Sequence, residues 1–167
     1  MIHLYYMSKY VLDSDYDYDF SLLALSAYIP DYKISIEINH LLGINLGRDT
    51  PIELSNKSIK TPLLFSCFSF QDEEEQTDFI LLSNKSSNTV SSAAKAEAPS
   101  LFKEERTDVK FLLVPELAQA DYLLLIKADN HTELANDILN KLKTITFVLS
   151  VQAINPETLS SKKNLII

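Results

Sequence analysis

Apolar and polar positions alternate with changing period along residues 121–154, "DYLLLIKADNHTELANDILNKLKTITFVLSVQAI". Residues 121–127 are apolar at both parities, the pattern of a strand covered on both faces. Asn130 followed by Glu133 matches a capping box in which asparagine takes the place of serine or threonine. Leu134, Ile138, Leu142 and Ile145 then recur at near-helical spacing, with Asp137, Asn140 and Lys141 between them. Ile145, Phe147, Leu149, Val151 and Ala153 next alternate with Thr146, Ser150 and Gln152, which predicts a half-buried strand. The stretch therefore reads as strand–helix–strand.

The front half reads as a weaker copy of this plan. "FSLLALSAYI" (20–29) is a strand apolar enough to be central. Pro30 suits a helix entry and Gly43 a helix stop. Between them, Ile34, Ile38, Leu41 and Leu42 fit a helical face, although Ile34, Ile36 and Ile38 also alternate as a strand would. The Leu41–Leu42 doublet and Gly43 decide for the helix. Two strands follow, "PLLFSCFSF" (62–70) and "DFILLSN" (78–84), joined by the acidic hairpin turn "QDEEEQT". Short strands are also expected at Lys9–Leu12 and Val109–Val114. Residues 85–108, "KSSNTVSSAAKAEAPSLFKEERTD", have little periodicity and low hydrophobicity, and read as a mobile insertion.

These elements predict one α+β domain over residues 1–167, with residues 1–8 as an N-terminal extension. The expected architecture is a two-layer sandwich: an antiparallel or mixed sheet, two helices on one face and polar positions on the other. A ferredoxin-like arrangement is the specific expectation. Parallel strands within each half would need right-handed crossovers.

Composition narrows the function. The net charge of −8 argues against nucleic acid, since the 15 lysines and arginines are scattered rather than clustered. Anionic membrane surfaces are disfavoured by the same charge, and no apolar run is long enough to span a bilayer. "MIHLYYMSKYVL" lacks the basic start, apolar run and cleavage site of a signal peptide. One cysteine, Cys67, permits no intrachain disulfide and fits a reducing cytoplasm.

Most catalytic and binding motifs fail on residue type or spacing. Asp13, Asp15, Asp17 and Asp19 suggest a calcium loop, but Tyr18 and Ala24 stand where an EF-hand needs Gly and Glu. His3, His40 and His131 lie too far apart for a metal-ligand spacing, so no metal is expected. With only Gly43 and Gly47, no phosphate-cradling loop can be written, and no cofactor is expected. Cys67 lies in the apolar strand "FSCFSF", where a thiol packs as a small hydrophobe. Phe65, Phe68 and Phe70 read as core, since an RNA platform needs basic residues and glycines beside its aromatics.

The remaining motif is "VPELAQADYLLLI". Pro115 ends or edges a strand, Glu116 follows, and Asp121 and Tyr122 enter the next strand. An earlier pair, Asp31–Tyr32, stands at the mouth of the first helix. Such pairs can cap an element and bury a ring, or they can line one pocket with Glu116. Their positions at element starts favour the structural account.

At this motif the chain resembles the IPExxVDY family, bacterial proteins without an assigned activity that are named after their own signature. Val114, Pro115, Glu116, Asp121 and Tyr122 stand for most of it. Val114 replaces Ile, Ala120 replaces Val, and one extra residue separates Glu116 from Asp121. The start "MSKYVLDSDYDYDFSLLALS", "DYKISIEIN", "ILLSNKS" and the closing "LSSKKNLII" also look like the family's pattern, in order. The resemblance supports helix over strand after Asp31 and suggests Met7 as the natural start. The expectation is a cytoplasmic, non-enzymatic α+β protein acting through association, as a homodimer or with a protein partner. A regulatory small-molecule binder with an ACT-like element pattern is the second reading, and an enzyme of unrecognised type the third.

Overall fold

The computed structural model describes residues 18–55, 61–88 and 110–167. Its six strands are β1 (Ser21–Ala27), β2 (Gly47–Leu54), β3 (Leu63–Asp72), β4 (Thr77–Ser83), β5 (Tyr122–Lys127) and β6 (Val148–Ile154). The helices α1 (Asp31–Leu42) and α2 (His131–Leu142) join β1 to β2 and β5 to β6. All strands form one sheet in the order β2-β3-β4-β5-β1-β6, and every neighbouring pair is antiparallel. This is the expected α+β sandwich with both helices on one face. The strands joined by each helix run parallel but are never adjacent: β1 lies between β5 and β6, and three strands separate β1 from β2.

Helix α1 forms where the spacing predicted it. Pro30 precedes it in extended conformation, and Gly43 closes it at φ 70°, the left-handed region that glycine enters without steric cost. Ile34 and Ile38 are fully buried against Leu23, Leu25, Phe68, Leu81, Leu124 and Ile126 of the sheet. Helix α2 adds Ala135, Ile138 and Leu142 to this layer. Asn130 occupies its N-cap position, but its side chain makes no capping bond, unlike the capping box expected there.

The second face differs from the polar surface expected. Leu22, Ala24, Leu63, Phe65, Cys67, Leu82, Leu123 and Leu125 form a second apolar cluster there. A lid of irregular chain covers them. Leu113, Val114 and Ala120 come from the loop that precedes β5, and Leu159 and Leu165 from the 3-10 turns after β6. Strands β1 and β5 are thus sandwiched between two apolar layers, which is why their sequences are apolar at both parities.

Three further expectations need correction. Strand β2 was not foreseen, because "GRDTPIEL" is exposed along most of its length and has no apolar alternation. Residues 110–114 form no strand: among the described residues their ladder pairing is the isolated bridge Lys85–Leu112. Lys85–Asn88, the front of the expected insertion, belong to the fold. Ser86 is buried and accepts the Phe111 N–H, and the Asn88 side chain receives the Leu64 N–H. The rest of that segment, like Lys9–Leu12 and residues 1–8, lies outside the described residues.

Candidate functional site

Between the start of α1 and the beginning of β5 lies a cleft of about 390 Å³. Its walls include Asp31, Ser66, Ser83, Lys85, Asp121 and Tyr122. Ser83 stands opposite Tyr122 in the ladder, and Tyr122 opposite Leu25. Leu25, Phe68, Leu81 and Tyr122 share the helix-covered face, so by alternation Ser66 and Ser83 do too. Beside the buried Leu25 and Tyr122, this end of the sheet carries the hydroxyls of Ser66 and Ser83 and the charges of Lys85 and Asp121.

Asp121 is held on all sides. One carboxylate oxygen accepts the Ala27 N–H at 2.9 Å and the Ser26 hydroxyl at 3.3 Å, and the other pairs with Lys85 Nζ. Its own N–H donates to Leu25 O at 2.8 Å. Asp121 therefore ties the end of β1 to the entry of β5. Tyr122 buries its ring beside Leu124 and Ile126, and its hydroxyl donates to Ile29 O at 2.6 Å. Burial, with the negative Asp31 and Asp121 nearby, pushes this phenol up to about 12. Burial alone would raise the Asp31 carboxyl, but hydrogen bonds from Ser66 and the Tyr32 N–H, together with the Arg48 guanidinium 3.0 Å away, hold it below its ordinary value.

The cleft unites Asp31, Asp121 and Tyr122, but the other motif residues lie elsewhere. Tyr32 is exposed on α1. Pro115 and Glu116 begin a 3-10 turn on the opposite face of the sheet. There Glu116 accepts both the backbone N–H, at 2.8 Å, and the hydroxyl of Ser161. Those bonds, the side-chain one foremost, hold its carboxyl below the ordinary value. Glu116 is a latch between the two halves of the lid, and it takes no part in the cleft.

Sequence reasoning missed the residue on which this lid hangs. Asn84 follows β4 and is wholly buried. Its side-chain amide donates to Leu117 O at 2.9 Å and Ala120 O at 3.0 Å, while its carbonyl oxygen accepts the Val114 N–H at 2.8 Å. Its main chain bonds Asp121 O and the Leu113 N–H. The motif segment thus winds around one asparagine. The available signal was parity, since Asn84 follows Ile80 and Leu82 at period two and so points inward.

Two other groups have reactive residue types. Ser21 Oγ lies 2.9 Å from His131 Nδ1, and His131 Nε2 lies 3.1 Å from Asp19. The order is that of an acyl-transfer triad, but the Ser21 hydroxyl also donates to the His131 carbonyl at 3.1 Å. Ser21 thus ties β1 to the start of α2, and Asp19, at the far end of the set, is largely exposed. Cys67 is buried in β3, and burial, with Asp49 nearby, raises its thiol to about 11. A thiol so placed is a poor nucleophile near neutrality.

The two edges of the sheet differ in kind. Edge strand β2 carries Arg48, Asp49, Pro51 and Glu53, and its register slips between Asp49 and Ile52. Charge, proline and irregularity all oppose the addition of another strand. Edge strand β6, "VLSVQAI", has no charge and no proline. Leu149 was expected inside with Phe147. A register shift opposite Ser26 and Ala27 instead leaves Leu149 68% and Phe147 37% exposed. Phe147 meets Tyr28, itself 63% exposed, edge to face at 5.9 Å.

Compared with models of known families, with curated proteins and with solved structures, the chain finds no match. Among the described residues no helix is long and apolar enough to cross a membrane.

Proposed function

We propose that this chain acts by association rather than catalysis, pairing with a second copy of itself along β6. The observation that carries the proposal is the contrast between the edges: β2 is defended and β6 is not. Overall charge works against self-pairing, but the β6 edge itself carries no charge to set like against like. Two chains of net charge −8 repel one another, and in a two-fold antiparallel pair charged edge residues readily come to face like charges. Strand β6 has none to oppose. Exposed Leu149, Phe147 and Tyr28 supply apolar area beside the open backbone.

Light scattering over a wide concentration range tests this. The native chain should approach twice 18.9 kDa, and Leu149→Lys should return it to the single-chain mass while the chain stays folded. A native protein that keeps the mass of one chain at every concentration overturns the proposal.

A second reading, binding of a small ligand, rests on the cleft that gathers Asp31, Asp121, Tyr122 and Lys85. It ranks second because Asp121, Tyr122 and Asp31 are already engaged with protein groups. A metabolite that raises the melting temperature, with the effect lost in Asp121→Asn, would favour it. The proposal retains the IPExxVDY resemblance, with the bacterial cytoplasm that it suggests. It also retains the ferredoxin-like reading: the order β6-β1-β5-β4 with its helical crossovers supports that arrangement, extended at one edge by β2 and β3.

A further inference from the structure

Building on the self-association reading, we infer a definite register for the pairing: β6 meets β6 of the second copy about a two-fold axis through Val151. Edge-to-edge antiparallel pairing places the axis perpendicular to the sheet, so both helix layers lie on the same side. Directly opposed residues then point to the same face. With a period of two, that requires the axis to pass through a residue position and not between two.

Val151 is the middle of Val148–Ile154. The register shift near Leu149 leaves Val148 with the helix-side core and Ile154 with the lid-side core, so with the axis there residues 149–153 of each strand find partners. Moving the axis to Gln152 sets Ser150 against Ile154, polar against apolar, and moving it to Ser150 leaves only residues 149–151 paired. Side-chain chemistry agrees with the centred register. Ser150 faces Gln152 of the second copy, polar against polar, on the face away from the helices. Val151 faces its own counterpart under the α2 layer, and Leu149 faces Ala153. No charged group enters the pair.

The lid face supplies a second consequence. Ser150 and Gln152 line a groove of about 400 Å³ together with Ala24, Ser26 and residues 116–120. In the paired molecule the grooves of both copies meet across the axis, and the Ser150–Gln152 contacts lie on their open floor. Reagents can reach them there.

Cross-linking reads this register directly, because the native cysteine, Cys67, is buried and resists oxidation. In the full-length chain, the double variant Ser150→Cys with Gln152→Cys should form, under mild oxidation, a species of twice the chain mass on a non-reducing gel. Each single variant should stay largely uncrosslinked, because neither residue opposes itself. Both positions are exposed, so the substitutions leave the core intact. If Ser150→Cys or Gln152→Cys links with itself while the native chain has dimer mass, the register is wrong and the self-association reading stands. A native chain of single mass with no linked variant overturns both.

Discussion

Replacing Asn84 by alanine tests whether the lid depends on one side chain. The substitution removes two donated bonds, to Leu117 O and Ala120 O, and one accepted bond from the Val114 N–H. Each such bond contributes about 1 kcal/mol net, and leaving a buried partner unpaired costs about 1–3 kcal/mol. Ala120 and Val114 are buried, whereas Leu117 is half-buried and open to water. Counting the first two in full and the third at the low end gives a loss of roughly 3–7 kcal/mol. That is a large share of the about 5–15 kcal/mol that stabilises a typical domain. Asn84→Asp keeps the shape but turns a carboxylate oxygen toward two carbonyls, so it should cost at least as much at neutral pH. Urea denaturation gives the total, and amide exchange at Leu113, Val114, Leu117 and Ala120 shows whether the lid opens first. An Asn84→Ala protein within about 1 kcal/mol of the parent, with those amides still protected, would refute the reasoning.

Two further predictions concern the cleft. Tyr122→Phe removes only the bond to Ile29 O and should cost about 1 kcal/mol, whereas Tyr122→Ala empties a packed ring site and should cost about 3–5 kcal/mol. Equal denaturation midpoints for parent and Tyr122→Ala would contradict the buried role. The Asp31 carboxyl is held low in the folded state, so its stabilising effect is present above its unfolded value and fades as pH falls through the folded one. The gap in stability between the parent and Asp31→Asn should therefore shrink between neutral pH and about pH 3, and a gap that widens on acidification would show the sign to be wrong.

Most elements could be read from periodicity because burial imposes it. Strands β1, β3, β4 and β5 each bury at least one face, and α1 and α2 bury one stripe, so their apolar spacing repeats the geometry of the core. Strand β2 left no such trace, since an edge strand with exposed side chains is selected for charge and turn residues. Val109–Val114 was misread for a related reason: Leu113 and Val114 are apolar because they cap the second face, where burial comes without a ladder. In the site, Asp121 and Tyr122 were legible as residues at an element's start. Their partners were not, because Ile29 O, the Ala27 N–H and Lys85 are brought near by topology alone. The exposure of Leu149 follows from a one-residue slip against β1, which no alternation in "VLSVQAI" announces.

The placement of β1 has a consequence for how the chain folds as it is made. A ribosome releases β1 first among these strands, yet both of its neighbours, β5 and β6, lie about a hundred residues or more downstream. Meanwhile β2, β3 and β4 can zip up as a local meander, with the short turn between β3 and β4 closing quickly. One of the most apolar strands therefore waits with both edges bare until residues 122–154 arrive and clasp it from either side. Its pairing closes the longest loops in the sheet and so carries the largest closure entropy. During that wait Leu22, Leu23 and Leu25 are the surface a chaperone has most reason to hold.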